Sequence, residues 1–242
     1  MTRFHAWRWC AAAGVVAFLC SWGFGQIPGL TACGPTGGLG PIIAFEFVGS
    51  PADVATLFGS EPCRSTFVAG QKIGLLLDAL GFIPAYTTFL ILATMASARI
   101  TDRWPPAAMA IAGMLALAGL CDQIEGGLLY LILADLPGDP MVVDALWWPV
   151  HLKFALLAAG TLGIAGQLAA RRTMPALLAG LAIGLGALTA AVGLAGGPSP
   201  MMMLGFTVSW TTVLSVAILG ARWPSLFSGS ANRPPAPASP SA

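Results

Sequence analysis

Four ionisable side chains stand inside hydrophobic stretches of this chain: Asp78, Asp122, Glu125 and Lys153. A charge at mid-bilayer costs roughly 2.5–3.5 kcal/mol on insertion scales, so such groups persist where they face one another, water or a ligand. Three carboxylates face one clear base, with Lys72 a second candidate. An unpaired buried carboxylate holds a proton instead of a charge. The set is therefore suited to a proton, a cation or a cationic ligand group, or to an ion-pair network that fixes helix register. Paired carboxylates can also work as acid and base on a substrate.

The elements that must position these groups are membrane helices. Of the 242 residues, 57% are hydrophobic and only 9% charged, with a mean hydropathy of +0.81. Soluble domains carry about 25% charged residues, so the bilayer is the expected solvent. The fold class is all-α, a polytopic transmembrane helical bundle. A span needs about 20 apolar residues. Six fit: Trp7–Gly25, Gly70–Ala98, Pro105–Ala134, Leu146–Ala170, Pro175–Ala195 and Met201–Ala221. Residues 1–227 then form a single integral membrane domain, and the Pro/Ala/Ser-rich tail 228–242 is expected to be disordered.

Arginines alternate loop by loop. Arg3 and Arg8, Arg99 and Arg103, Arg171 and Arg172, and Arg222 and Arg233 fall on one side; the other holds Arg64 against Glu46, Asp53, Glu61, Asp135, Asp139 and Asp144. The positive-inside rule then puts both termini in the cytoplasm, and a bacterial inner membrane is the expected location. Trp7, Trp9, Trp104, Trp147, Trp148 and Trp223 lie at span ends, where interfacial belts form. Arg3 and Arg8 before an apolar run ending near Leu19 resemble a signal peptide, and Leu30–Cys33 a lipoprotein box. That box lies too far beyond the apolar core, so the first span is read as retained.

The long connection Gln26–Ala69 falls outside. Within it Ser50 can cap a short amphipathic helix, with Pro51 at its first position, Asp53 at its third and Gly59 at its end. Before it, Glu46 stands in the apolar run 41–48. Either Glu46 points at water, or the segment dips back and lids the bundle. Cys33 and Cys63 both fall in this loop and are expected to pair in an oxidising exterior. Cys10, Cys20 and Cys121 read as packing residues.

Helical spacing groups the polar residues. Gln71, Gly74, Asp78, Gly81 and Ala85 share a stripe, Tyr86 returns to about the face of Asp78, and Pro84 is expected to kink the span. Gly119, Asp122, Glu125 and Gly126 share another stripe. Lys153, Gly160 and Gln167 recur every seven residues, whereas His151 points away from Lys153, toward Trp147 and Trp148. At 1.5 Å per residue the four charged groups lie roughly 10–18 Å below the external surface.

Other chemistry is missing from the sequence. Two histidines give no basis for a zinc or haem site; no metal or cofactor is expected, although carboxylates alone can bind Mg²⁺ or Ca²⁺. There is no nucleotide-binding loop, dinucleotide fingerprint or nucleophile elbow. Net charge +1 without a basic run argues against nucleic acid. Expected partners are membrane lipids and a small-molecule or cation ligand. Gly160, Gly163, Gly166, Gly180 and Gly184 are suited to packing within the chain or to a homo-oligomer seam.

The segments Phe45-Glu46-Phe47-Val48-Gly49-Ser50, Leu77–Tyr86, Asp122-Gln123-Ile124-Glu125 and Lys153-Phe154 resemble a group of small bacterial integral membrane proteins. That group shares a Phe-Glu loop, an Asp…Tyr second span, an Asp-x-x-Glu third span and a Lys-Phe or Lys-Trp fourth span. The resemblance covers Trp7 to about Gln167, and Gly126 replaces a frequent Asn. It implies Glu46, Asp78, Tyr86, Asp122, Glu125 and Lys153 as a set and supplies no reaction. Three readings follow: a protein that binds or moves a proton, cation or lipid-like ligand; a membrane-embedded enzyme on a lipid or isoprenoid; a structural subunit. No inverted repeat appears, which lowers a full transport cycle.

Overall fold

Apolar residues at helical spacing dominate the chain, and every regular element among the described residues is a helix. The computed structural model describes residues 3–98 and 105–227. The tail 228–242 and Arg99, Arg103, Trp104 and Arg233 lie outside the described residues. The elements are α1 (Arg3–Phe24), α2 (Pro41–Glu46), α3 (Pro51–Phe58), α4 (Cys63–Leu77), a π-helical turn (Asp78–Phe82), α5 (Ile83–Ser97), α6 (Pro106–Ala134), α7 (Pro140–Ala169), α8 (Met174–Ala195), α9 (Pro200–Arg222) and a 3₁₀ turn (Pro224–Phe227).

Five helices are long and apolar enough to cross a membrane: the rod Cys63–Ser97 formed by α4, the π turn and α5, and then α6, α7, α8 and α9. Leu178, Leu181, Leu185, Leu188 and Val192 form an exposed face along α8. Such a face suits hydrocarbon, and these features point to a membrane protein. At 22 residues, α1 equals α8 in length. It is not among the five.

The helices α1, α5, α6, α7, α8 and α9 form a ring in which α1 packs on both α5 and α9. Side chains set these approaches. Gly220 lies against the indole of Trp7, and Gly14 against Leu214. Hence α1 and α9 run antiparallel. Trp7 is buried here and also meets Phe227 at 6.2 Å. It is a packing residue, which corrects its reading as part of an interfacial belt. Trp9, Trp147, Trp148 and Trp223 are exposed. Gly160 and Gly163 meet Leu115 and Ile111 of α6, and Gly180 meets the backbone of Ala165 and Ala169. Small residues let helices approach closely where lipid supplies no hydrophobic drive.

Proline explains the break in the long rod. Pro84 has no N–H to continue the ladder. Ahead of it Ile83 N–H reaches back five residues to the Asp78 carbonyl, which inserts one extra residue. In the same pattern Pro84 would serve the Ala79 carbonyl, and it cannot. The Gln123 side-chain amide of α6 donates to that oxygen at 2.8 Å. The insertion also sets direction. Eight α-helical residues would leave Tyr86 about 80° from Asp78; with one residue absorbed, the offset falls to about 20°.

The connection between α1 and α4 is ordered by caps and a covalent link. Ser50 Oγ accepts from Asp53 N–H at 3.2 Å and donates to the Asp53 carboxylate at 2.8 Å. Gly59 ends α3 at φ +57°. Val54, Leu57 and Phe58 are buried. A disulfide joins Cys33 to Cys63, with Cα atoms 5.9 Å apart. The Gln71 amide donates to the Pro41 carbonyl at 3.0 Å and so pins the start of α2 to α4.

Candidate functional site

Helix α2 turns Glu46 inward, not toward water. Phe45 is fully buried against Phe58, with ring centroids 5.0 Å apart, and Phe47 stacks on Phe154 at 5.4 Å. Between these two anchors Glu46 is 4% exposed. Of the two sequence alternatives, the segment therefore dips into the bundle.

Lys153 of α7 lies at the centre of the site and is 3% exposed. Its Nζ donates to Glu46 Oε2 at 2.9 Å, to Asp122 Oδ1 at 2.7 Å and to Glu125 Oε1 at 2.8 Å. An ammonium has three donors, and here each meets a carboxylate from α2 or α6. Tyr86 of α5 donates to the other Asp122 oxygen at 2.7 Å. Lys153 also lies 4.8 Å from the centre of the Phe154 ring. Lys72 is exposed on α4, so the second candidate base is not part of the cluster. His151 stacks on Trp147 at 4.3 Å and hydrogen-bonds its carbonyl, away from Lys153.

Asp78 behaves differently. It is 9% exposed and its carboxylate has no hydrogen-bond partner among the described residues. It lines a cavity of about 370 Å³ that also touches Glu46, Tyr86, Asp122 and Lys153. The remaining walls are apolar: Ala17, Phe18 and Phe24 of α1, Phe82 of the π turn, Phe154 and Leu157 of α7, and Met203, Phe206 and Trp210 of α9. Ser21 of α1 and Thr207 of α9 line the cavity and are exposed. An opening lies on the seam between these helices, beyond their contacts at Trp7–Gly220 and Gly14–Leu214, and Gly25 and Gly40 on the lining are exposed as well.

The electrostatics are lopsided. Four carboxyl groups share one ammonium. Burial pushes the Glu46 carboxyl above the usual carboxylate range, the Lys153 ammonium pulls it back, and the Asp122 charge pushes it up again. Glu125 Oε2 is buried without a partner among the described residues. A buried polar atom left without a partner costs free energy. No group of three His, Cys, Asp or Glu among the described residues is arranged to hold a metal ion. Lys153 itself fills the centre of the carboxylates.

Sequence reasoning grouped Asp78, Asp122, Glu125, Lys153, Glu46 and Tyr86; the structure puts Asp78, Asp122, Lys153, Glu46 and Tyr86 on one cavity, and Glu125 lies behind them, bonded to Lys153. It missed Gln123, whose signal is Pro84 on the neighbouring helix. It also read Arg171 as a loop charge. That side chain is 5% exposed and donates to the carbonyls of Ala96, Ser97, Ala98 and Phe227.

Comparison with protein-family models, with curated proteins and with solved structures finds no match for this chain.

Proposed function

We propose that this is a six-span protein of a bacterial inner membrane, with both termini cytoplasmic, whose cavity binds a small amphipathic, lipid-like guest by its head group. One observation carries the reading: the cavity has a charged end at Asp78, Glu46, Asp122 and Lys153 and apolar walls elsewhere. Ligand sites commonly combine apolar walls with a few placed polar groups, at about 300–1,000 Å³. Helix α1 is the sixth span in this reading, supported by its antiparallel packing on α9. The Cys33–Cys63 link and the helix capped by Ser50 then lie outside. Protons or cations are the alternative occupants of the charged end.

A purely structural ion-pair network is the competing reading. It is favoured by Lys153, which ties α2, α6 and α7 together with every donor satisfied. It leaves Asp78 unexplained, because packing has no use for a bare carboxylate on a cavity wall.

A density map of the protein purified in native lipid tests the proposal. Non-protein density is expected between α1 and α9, ending at Asp78. A cavity filled only by ordered water in such a map defeats the proposal. Orientation is read separately. Cysteines placed beside Asp139 and Gly197 should react with impermeant thiol reagents in intact cells, and one beside Arg171 should not. The reverse pattern overturns the topology.

A further inference from the structure

The cavity leaves a carboxylate on its wall without a hydrogen-bond partner among the described residues, that of Asp78. Trp210 stacks on Tyr86 at 5.3 Å, and Phe82 lies 5.2 Å from Tyr86, so aromatic faces border the charged end. A guest that satisfies Asp78 must bring a cationic donor. Aromatic faces also favour a cation, by about 0.5–2 kcal/mol each.

Charge selects further. Four carboxyl groups around one lysine disfavour an anionic head, so phosphate- and carboxylate-bearing amphiphiles are poor guests. Size selects as well. At about 30 Å³ per water-sized group, 370 Å³ holds on the order of a dozen such groups. That suits a compact head and a chain of roughly ten carbons, with any longer tail leaving through the Ser21–Thr207 mouth.

We propose that the cavity is a site for a long-chain amine, with its ammonium on Asp78 and its chain between α1 and α9. This rests on the amphiphile-binding reading and names its ligand class. The guest supplies the cation that Asp78 lacks, whereas Lys153 remains committed to Glu46, Asp122 and Glu125.

The test is native mass spectrometry of the full chain. It is run with dodecylamine, dodecanol, dodecanoic acid and phosphatidylethanolamine, at equal concentration. The amine should be retained about ten-fold over dodecanol and dodecanoic acid, the loss expected for one charge-assisted hydrogen bond. Asp78→Asn should erase the preference for the amine while still holding dodecanol. Thr207→Trp, at the exposed rim, should reduce retention of every probe and serves if Asp78→Asn does not fold. Equal retention of amine and alcohol, or preference for phosphatidylethanolamine, overturns the ligand class and leaves the cavity reading intact. No retention of any probe defeats the cavity reading as well.

Discussion

Among the described residues two cations are buried, Lys153 and Arg171, and the hydrogen-bond acceptors around them differ in kind. Lys153 meets three carboxylates from α2 and α6 beside a cavity. Arg171 meets main-chain carbonyls at the end of α5 and at Phe227. Carbonyls at a helix C-terminus have no intrahelical donor, and the Arg171 guanidinium caps those of Ala96, Ser97 and Ala98. The carboxylates around Lys153 exceed it in number. One cation closes a helix end; the other gathers a surplus of acid at a cavity.

Replacing the lysine gives the largest expected effect. Lys153→Ala strips the cation from three buried carboxylates and should cost about 3–5 kcal/mol, read as a lower thermal midpoint and poor yield. Lys153→Met combined with Glu125→Gln should be more stable than Lys153→Ala. If the double variant regains stability but not ligand retention, the cluster is functional. Recovery of both together marks it as packing alone.

Arg171→Ala should cost about 2–3 kcal/mol through lost charged hydrogen bonds. Its stability loss should leave amphiphile retention unchanged in the fraction that folds. A selective loss of retention would break the contrast between the two cations. Gln123→Leu is expected to cost about 1 kcal/mol by orphaning the Ala79 carbonyl. The loss should vanish when Pro84→Ala restores a backbone donor nearby, and additive effects in a thermal-melt double-mutant cycle would contradict that pairing. Smallest of all is Asp78→Asn. With no partner to lose, it should shift stability by less than about 0.5 kcal/mol, and a drop above 2 kcal/mol would reveal a structural role for this carboxylate.

The acids and Lys153 were legible because a charge in an apolar run has few tolerable environments. The Ser50 cap was legible because its signals are local. Glu46 was not settled by sequence: whether residues 41–48 enter the bundle depends on Phe45 finding Phe58 and Phe47 finding Phe154. Gln123 and Pro84 are partners only through the π turn, which is tertiary information. Arg171 does stand in the connection between α7 and α8, but its burial was not legible, because counting loop charges says nothing of where a long side chain ends. Trp7 failed for a related reason, since Gly220 leaves it an inward berth. The six-helix ring, closed by the first helix on the last, carries no sequence signature that periodicity can read.

That closure has a biosynthetic consequence. The cavity takes one wall from α1 and another from α9, so ribosomes must deliver α9 before any guest can be enclosed. Until then α1, with Phe18 and Phe24, waits beside the nascent chain with its inner face open. A chaperone or insertase that shields this face would be released by α9 itself, and premature termination anywhere upstream would leave a recognisably unfinished product for proteolysis.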